Sequence, residues 1–291
     1  MTKRFSLTPY LFLAPALIII AIFLLYPIGA VVYFSFTEYN IINPPVWVGL
    51  DNYKWLLQDQ VFRKAMANSF IYLLVTPIII ISSVTLAIIV NRKLPGINFF
   101  RALYFIPVIS GSIAVGTAWN MMLSTNGIIN GVLLSFGLIQ EPMQWLAEPS
   151  MTLPFAMALT IWLGLGYYMM IFLAGLQNIS EDLYDAASID GCNRLQKHWH
   201  VSIPGLRPQI TFVAVISSLA ALQVFIEVFI LFGRLGGILN SGMTMVFYLW
   251  RQAFELDNAG RASAIAMVLL VITLAFSILN IRFLERGTEA E

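Results

Sequence analysis

The sequence predicts an all-α membrane protein with six transmembrane helices. Its 291 residues are 59% hydrophobic and only 11% charged, whereas a soluble domain carries about 25% charged residues. A helix needs about 20 mostly apolar residues to cross a bilayer, and backbone groups in the hydrocarbon layer must be satisfied internally. Six segments meet this requirement: 10–36, 67–90, 102–123, 153–176, 210–232 and 262–284.

The first apolar segment, 10–36, predicts a retained helix rather than a signal peptide. It exceeds the core of about 7–15 residues that signal peptides have, and no small-residue cleavage site is visible. Prolines within the apolar segments are compatible with helices, because neighbouring helices can satisfy the carbonyl groups that they free. They include Pro15, Pro27, Pro77 and Pro107.

The segments on one side of the membrane are longer than those on the other. They cover 37–66, 124–152 and 233–261. In the second, apolar residues recur at helical spacing from Ile128 to Phe136 and are followed by Gly137, which predicts a short helix along the outer surface. Residues 242–256 predict another.

Lysine and arginine positions predict the orientation. Ten of the 16 fall on the side that holds both chain ends, and such a bias marks the cytoplasmic side. These ten are Lys3, Arg4, Arg92, Lys93, Arg101, Arg194, Lys197, Arg207, Arg282 and Arg286. We therefore expect both termini in the cytoplasm. The net charge of +1 indicates no affinity for nucleic acid, and the single cysteine, Cys192, leaves no disulfide.

The polar stretch 177–208, on the cytoplasmic side, predicts two short helices. Ser180 suits an N-cap, since Glu181 and Asp182 follow it in the first turn. Gly191 suits the left-handed residue that ends the helix. A second helix is expected from about Asn193 to His200.

Small residues and prolines shape the rest of this stretch. Leu183, Ala186 and Ala187 are spaced to share one helix face that another surface can approach closely. Pro204 favours an extended conformation at the residue before it, and Pro208 suits the first turn of the next helix. The stretch therefore predicts a rigid docking surface rather than a linker.

The same stretch resembles the EAA loop of binding-protein-dependent ABC transporter permeases. The residues on that pattern are Asp185, Ala186, Ala187, Asp190, Gly191, Ile203 and Pro204. Its longer form is similar to the carbohydrate-uptake, maltose permease-like branch, as are residues 49–59, 99–107, 126–134 and 259–270. Two departures are visible: Asp185 stands where the family has glutamate, and Ile238 follows Gly236 and Gly237 where it often has proline.

The resemblance implies a type I ABC importer permease fold, with 1–291 as a single transmembrane permease domain in the bacterial cell membrane. Residues 177–208 would be a cytoplasmic coupling loop that contacts an ATP-hydrolysing subunit. The implied contact residues are Asp185, Ala186, Ala187, Asp190, Gly191 and Pro204. ATP and magnesium would be bound by partner subunits, so no cofactor is expected in this chain, which has no phosphate-binding G-x-x-x-x-G-K-[ST] motif.

The implied assembly contains a second, homologous permease chain, two ATP-binding subunits and an external solute-binding protein that delivers a carbohydrate. The chain itself would not be an enzyme. The sequence leaves three alternatives to this importer. They are the same architecture with glycerol-phosphate or another polyol as cargo, a self-sufficient secondary transporter, and a membrane-bound enzyme. A secondary transporter would be expected to have an internal repeat, and an enzyme would need a catalytic constellation. The sequence shows neither.

Candidate substrate-path residues lie within the apolar segments. Glu227 is an ionisable residue in such a segment, which indicates function by default. Gln223 lies four residues before it and would share its helix face. Two interpretations stay open: contact with a polyhydroxylated ligand, or an ion pair of Glu227 with Arg234 or Arg251.

Aromatic residues suit a sugar, which stacks its CH face on rings, although packing is the alternative for each. They are Trp162, Tyr167 and Tyr168, and Asn120 beside Trp119 is a further candidate. His198 and His200 point to different faces of a helix without a carboxylate or cysteine cluster nearby, so no metal site is expected.

Overall fold

The computed structural model describes residues 8–92 and 95–285, with side chains for 11–92 and 95–280. The charge count included Lys3, Arg4, Lys93 and Arg286, and these, like the chain ends, lie outside the described residues. The protein is mostly helical, at 77%, which confirms the all-α class.

Sixteen α-helices are assigned within the described ranges. They are α1 (Thr8–Ile20), α2 (Tyr26–Ser35), α3 (Asp51–Gln58), α4 (Gln60–Tyr72), α5 (Val75–Val90), α6 (Ile97–Ile109), α7 (Ser112–Leu123), α8 (Ile128–Ser135), α9 (Thr152–Gln177), α10 (Glu181–Ile189), α11 (Arg194–Lys197), α12 (Ile203–Gly205), α13 (Arg207–Leu222), α14 (Ile226–Phe232), α15 (Met245–Phe254) and α16 (Ala259–Glu285). A π-helical turn at Ala21–Leu25 joins α1 to α2, and another at His198–Ser202 joins α11 to α12. Short 3-10 turns cover Pro149–Met151, Gly233–Leu235 and Ile238–Asn240.

Two short strands form an antiparallel hairpin. These are β1 (Thr37–Glu38) and β2 (Val46–Trp47), with Thr37 opposite Trp47 and Glu38 opposite Val46. The sequence analysis did not predict this hairpin. The helices predicted within 128–136 and 242–256, by contrast, are present as α8 and α15, and Gly137 after α8 has the left-handed φ of +65°.

Within 8–92 and 95–285, four helices are long and apolar enough to cross a membrane, or up to six if two bent pairs each count as one span. The four cover Leu11–Ser35, Gln60–Val90, Pro149–Gln177 and Ala259–Asn280. The bent pairs are Ile97–Ile109 with Ser112–Ser135, at 94°, and Arg194–Gly205 with Arg207–Leu222, at 67°. The helix expected at 102–123 is interrupted between α6 and α7, and the helix expected at 210–232 is interrupted between α13 and α14.

The first of these interruptions lies at Ser110 and Gly111, between α6 and α7. Gly111 has a φ of +79° and a ψ of 137°, a conformation that glycine adopts readily and that no helix continues through.

The second interruption lies between α13 and α14. Phe225 leaves the helical region at a φ of −143°, and the Thr244 hydroxyl donates to the Val224 carbonyl at 2.8 Å, so a partner distant in sequence satisfies that group. The sequence predicted that Gln223 and Glu227 share one helix face. The interruption between them shows that they do not.

The chain forms two compact units. One comprises Met1–Gln60 with Tyr248–Val271, and the other Val61–Phe247 with Ile272–Glu291. In the larger unit, α9 packs against α5, α6 and α14, and α13 packs against α5. The close approach of α6 to α9 requires Gly166, because a Cβ there would lie 2.1 Å from the Tyr104 carbonyl oxygen.

The smaller unit places α3 against the end of α2. The Asn52 amide donates to the Ser35 carbonyl at 3.0 Å and to the Thr37 carbonyl at 2.9 Å. Tyr53 donates to the Ser35 hydroxyl at 2.8 Å. The two buried bonds from Asn52 satisfy carbonyls at and just beyond the helix end, where intrahelical partners are lacking.

Candidate functional site

Helix α10 begins and ends as its sequence predicts. Ser180 caps the start, its hydroxyl accepting the Asp182 N–H at 3.2 Å. At the end, Gly191 has a φ of +80°, and the Cys192 N–H donates to the Ala187 carbonyl at 2.9 Å. This six-to-one bond with a left-handed glycine is a Schellman motif, which terminates the helix sharply.

The second helical arm, 194–205, is longer than expected. Asn193 caps it: its side chain accepts the Gln196 N–H at 3.0 Å, and its own N–H donates to the Gln196 side chain at 2.7 Å. Ile203 is helical, with a φ of −66° and a ψ of −46°, so the predicted extended conformation before Pro204 is wrong. The Ile203 N–H bonds five residues back to His198, and this wider π-turn makes room for a proline ring.

Side-chain hydrogen bonds tie the two arms together. The Tyr184 and Ser202 hydroxyls lie 2.9 Å apart, and His198 Nδ1 lies 3.0 Å from the same Ser202 oxygen. Lys197 also donates to Ser188. Ser202 is fully buried, so the arms form one rigid body rather than a flexible connection.

Leu206 joins this rigid body to the helical bundle. Its side chain is fully buried in a core cluster with Phe172, Leu173 and Leu176 of α9. A Cβ on Gly175 would lie 2.7 Å from Leu206 Cδ2, which shows how closely the leucine packs against α9. Pro208 lies in the first turn of α13, as predicted.

The predicted coupling residues are mostly exposed. Asp185, Ala186, Asp190 and Gly191 are exposed, and Pro204 is half-buried. Ala187 is only 8% exposed. The expected common face of small residues is therefore divided, because Ala187 packs inward and Ala186 faces outward.

Four large apolar side chains are also exposed on this loop. They are Leu183 at 55%, Ile189 at 87%, Leu195 at 67% and Trp199 at 62%. Exposed apolar groups next to charged ones are typical of a surface that another protein covers. The sequence analysis had singled out only Leu183 of these four.

The loop also contains a perturbed histidine. Burial lowers the pKa of the His198 imidazole below its ordinary value, and the positive charges of Arg194 and Arg92 lower it further. The ring is therefore neutral at physiological pH and can bond to the Ser202 hydroxyl through Nδ1 without adding charge.

The candidate aromatic residues of the substrate path lie on α9. Trp162 is 51% exposed and Tyr167 45% exposed. The rings of Tyr167 and Tyr168 meet edge to face with centroids 5.2 Å apart, and Trp119 of α7 meets Trp162 in the same way at 5.9 Å. Exposed ring surface remains available for a ligand or a partner chain.

Asn120, in contrast, has a packing role. Its amide donates to the Leu231 carbonyl at 2.8 Å and to the Ile230 carbonyl at 3.3 Å. These bonds tie α7 to α14, so the amide N–H groups are already engaged.

Gln223 and Glu227 flank the interruption between α13 and α14. Gln223 is exposed and Glu227 half-buried. Within the described residues of the larger unit, Glu227 forms no ion pair with Arg234, which is exposed. Arg251, the other candidate partner, has its Nε 3.6 Å from Glu255 Oε2.

A neighbouring polar pair was missed by the sequence analysis. Tyr72 is fully buried, and its hydroxyl lies 2.6 Å from the Thr160 hydroxyl. Glu227 is close enough to act on Tyr72 electrostatically. No spacing pattern could have found this group, since 88 residues separate Tyr72 from Thr160.

Comparison with known proteins finds related permeases over nearly the whole chain. No model of a protein family matches. A probable ABC transporter permease protein of Bacillus subtilis, YesP, is 34% identical over 93% of this chain and 88% of its own. The arabinooligosaccharides transport system permease AraP of the same organism is 33% identical over 94% and 87%. The lactose transport system permease LacF of Rhizobium radiobacter is 32% identical over 96% and 94%.

Solved structures show the same fold. A chain of a bacterial ABC transporter that imports alginate superposes with a TM-score of 0.84, at 22% identity over 96% of this chain and 95% of that one. A chain of the alginate transporter in complex with a periplasmic protein gives 0.85, at 22% identity over 97% and 95%.

Proposed function

The chain belongs to the ABC transporter permeases of sugar-uptake systems, and on that premise we propose that it is one membrane-spanning half of an ATP-driven importer. It is a multi-pass protein of the cell membrane. Its cargo is a sugar or oligosaccharide delivered by an external solute-binding protein. A second permease chain completes the pathway, and two separate subunits bind and hydrolyse ATP.

One observation carries this proposal: the cytoplasmic loop is a rigid body with an exposed apolar face. Tyr184 and Ser202 tie its two arms together, and Leu206 fixes it in the bundle. Closure of the ATP-binding subunits can therefore move the loop without deforming it, and the attached helices tilt between two states.

The topology of the proposal has six spans with both termini in the cytoplasm. Helices α6 and α7 then form one crossing together, and α13 and α14 form another. The lysine and arginine bias supports this orientation, and it puts the loop 177–208 on the side of the ATP-binding subunits.

Contact with the ATP-binding subunit involves charged, small and apolar residues together. The exposed Asp185 carboxylate pairs with a basic or N–H group of that subunit. Leu195 and Trp199 become buried in its cleft, and burial of a tryptophan is a common source of binding energy at interfaces.

The carbohydrate contacts lie in the larger unit. Trp162 and Tyr167 offer exposed rings on which a sugar stacks, while Gln223 and Glu227 supply hydrogen-bonding groups. Related permeases are named for lactose, arabinooligosaccharides, diacetylchitobiose and multiple sugars, which supports this class of cargo.

The substitution Gly191→Arg tests the coupling role. Gly191 has a φ of +80°, and a Cβ there would meet nothing within 4 Å, so the free chain accommodates a side chain at the cost of backbone strain alone. In the assembled transporter the arginine collides with the ATP-binding subunit. We expect sugar uptake into cells to be lost while membrane insertion is unchanged.

The matched control is Gly96→Arg. Gly96 also has a φ of +80° with nothing within 4 Å of a Cβ, so the two substitutions introduce the same backbone strain. We expect uptake to be retained in this variant. Unchanged uptake in the Gly191 variant would refute the coupling role of the loop.

A further inference from the structure

The hairpin β1–β2 directly follows the first membrane-spanning helix and is uncharged over most of its length. It begins at Thr37, two residues after α2 ends at Ser35. Residues 39–47, with the sequence YNIINPPVW, carry no charged side chain. Ile42 is 82% exposed, Trp47 63%, Val46 61% and Ile41 58%. Neither the permease fold nor the proposed coupling mechanism accounts for this exposed apolar surface.

Stacked rings place Trp47 beside the last turn of the helix. The Trp47 and Phe36 rings are stacked with centroids 5.5 Å apart, and Trp47 lies 6.2 Å from the ring of Tyr33, which is within α2. The second strand therefore returns to the depth of the helix end instead of projecting away from it.

Span length gives that depth. Leu11–Ser35 has 25 residues, which is about 37 Å of helix, and the hydrocarbon core is about 30 Å thick. Counted from Leu11, about the last five residues, including Tyr33, enter the outer headgroup layer. Trp47 lies at the same level, where tryptophan and tyrosine are enriched in membrane proteins.

Two internal hydrogen bonds close the turn of the hairpin. The Asn40 side chain accepts the Asn43 N–H at 2.9 Å, and the Ile42 N–H donates to the Asn40 carbonyl at 2.7 Å. With the backbone of the turn held in this way, the isoleucine side chains are its exposed apolar groups.

We propose that the hairpin 37–47 is an interfacial anchor, embedded in the headgroup layer of the outer leaflet through Ile41, Ile42 and Trp47. It sets the depth of the first helix in the membrane. The buried bonds from Asn52 to the Ser35 and Thr37 carbonyls make the anchor rigid, so the lipid contact is transmitted to the helix end.

A spin label at residue 42 tests this anchor. The chain is purified with the partner chains that accompany it and reconstituted in vesicles of phosphatidylethanolamine and phosphatidylglycerol. Ile42→Cys is introduced together with Cys192→Ser and labelled with a nitroxide, and the signal of the Cys192→Ser protein alone is subtracted. Because Ile42 is exposed, this change removes no packing.

The collision rates of the label with oxygen and with a water-soluble nickel complex are measured. Oxygen concentrates in lipid, so a high oxygen-to-nickel ratio of these rates indicates a lipid environment. We expect the oxygen-to-nickel ratio at residue 42 to be several-fold higher than at Glu141→Cys, an exposed charged position that serves as the aqueous reference. A ratio equal to the reference overturns the proposal. A label at residue 42 that is shielded from both agents also overturns it, because a protein partner then covers the hairpin.

Discussion

The substitution Leu206→Ala should separate ATP hydrolysis from transport. The side chain is fully buried against α9 and connects the loop 177–208 to the bundle. Leucine-to-alanine changes at buried sites cost about 2–5 kcal/mol. A loss of about 3 kcal/mol would shift the ratio of attached to detached loop by about 150-fold.

The expected result follows from where the lost contact lies. Leu206 faces the bundle, whereas the proposed contact with the ATP-binding subunit lies on the exposed face of the loop, so the complex should assemble and hydrolyse ATP. Motion of the loop would no longer tilt the helices, and sugar uptake per ATP should fall several-fold. Uptake and phosphate release are measured together in proteoliposomes that contain the complete complex.

A second variant controls for volume. Leu206→Met keeps the packed volume, and such changes cost less than about 1.5 kcal/mol, so it should retain coupling. If Leu206→Ala transported as much sugar per ATP as the unaltered protein, the role of Leu206 as the mechanical connection would be refuted. Loss of the whole complex from the membrane would refute it too, since the substitution would then act on folding.

Three further predictions concern the loop and the smaller unit. Trp199→Ala should weaken binding of the ATP-binding subunits by about 2 kcal/mol or more and reduce their recovery on affinity purification. Trp162→Ala, at a similarly exposed ring in α9, should not reduce it. Equal recovery with the two variants would contradict docking through Trp199. The folded-state pKa of His198 lies below 6.5, so the stabilisation that its neutral form provides is present above pH 6.5 and is lost as the pH falls below it. The protection of residues 194–205 against hydrogen exchange, expressed relative to the intrinsic exchange rate at each pH, should therefore be lower at pH 5.5 than at pH 7.5, and His198→Asn should abolish the difference. Asn52→Ala leaves two carbonyls without their donor and should cost about 2 kcal/mol, which would lower the thermal unfolding temperature in detergent, while the exposed Asn43→Ala should leave it unchanged.

The sequence predicted those features that depend on neighbours within a few residues. Ser180, Gly191 and Asn193 lie at helix boundaries where they were expected, because capping bonds reach only two to five residues along the chain. Hydropathy likewise located the apolar segments, and the loop spacing identified the family.

Features that depend on distant partners could not be predicted in this way. The interruption after α13 is accompanied by a bond from Thr244 to Val224, 20 residues away, and the Tyr72–Thr160 pair joins two spans. The local rule was wrong at Pro204, because the π-turn His198–Ser202, which ends two residues before the proline, accommodates its ring. The exposure of Ile189, Leu195 and Trp199 was not predicted, since it is decided by the fold.

The position of α13 explains how these parts could act together. It begins at Arg207, next to Leu206, and ends at Leu222, so 16 residues span about 24 Å from the cytoplasmic loop to the interruption beside Gln223 and Glu227. A continuous helix transmits a tilt along its whole length, whereas an interruption lets the next segment respond independently. A small rotation of the loop would thus displace Gln223 while α14, tied to α7 through Asn120, holds Glu227 in place. The distance between these two polar groups would then change with the state of the ATP-binding subunits, which is the property required of a site that binds sugar in one state and releases it in the other.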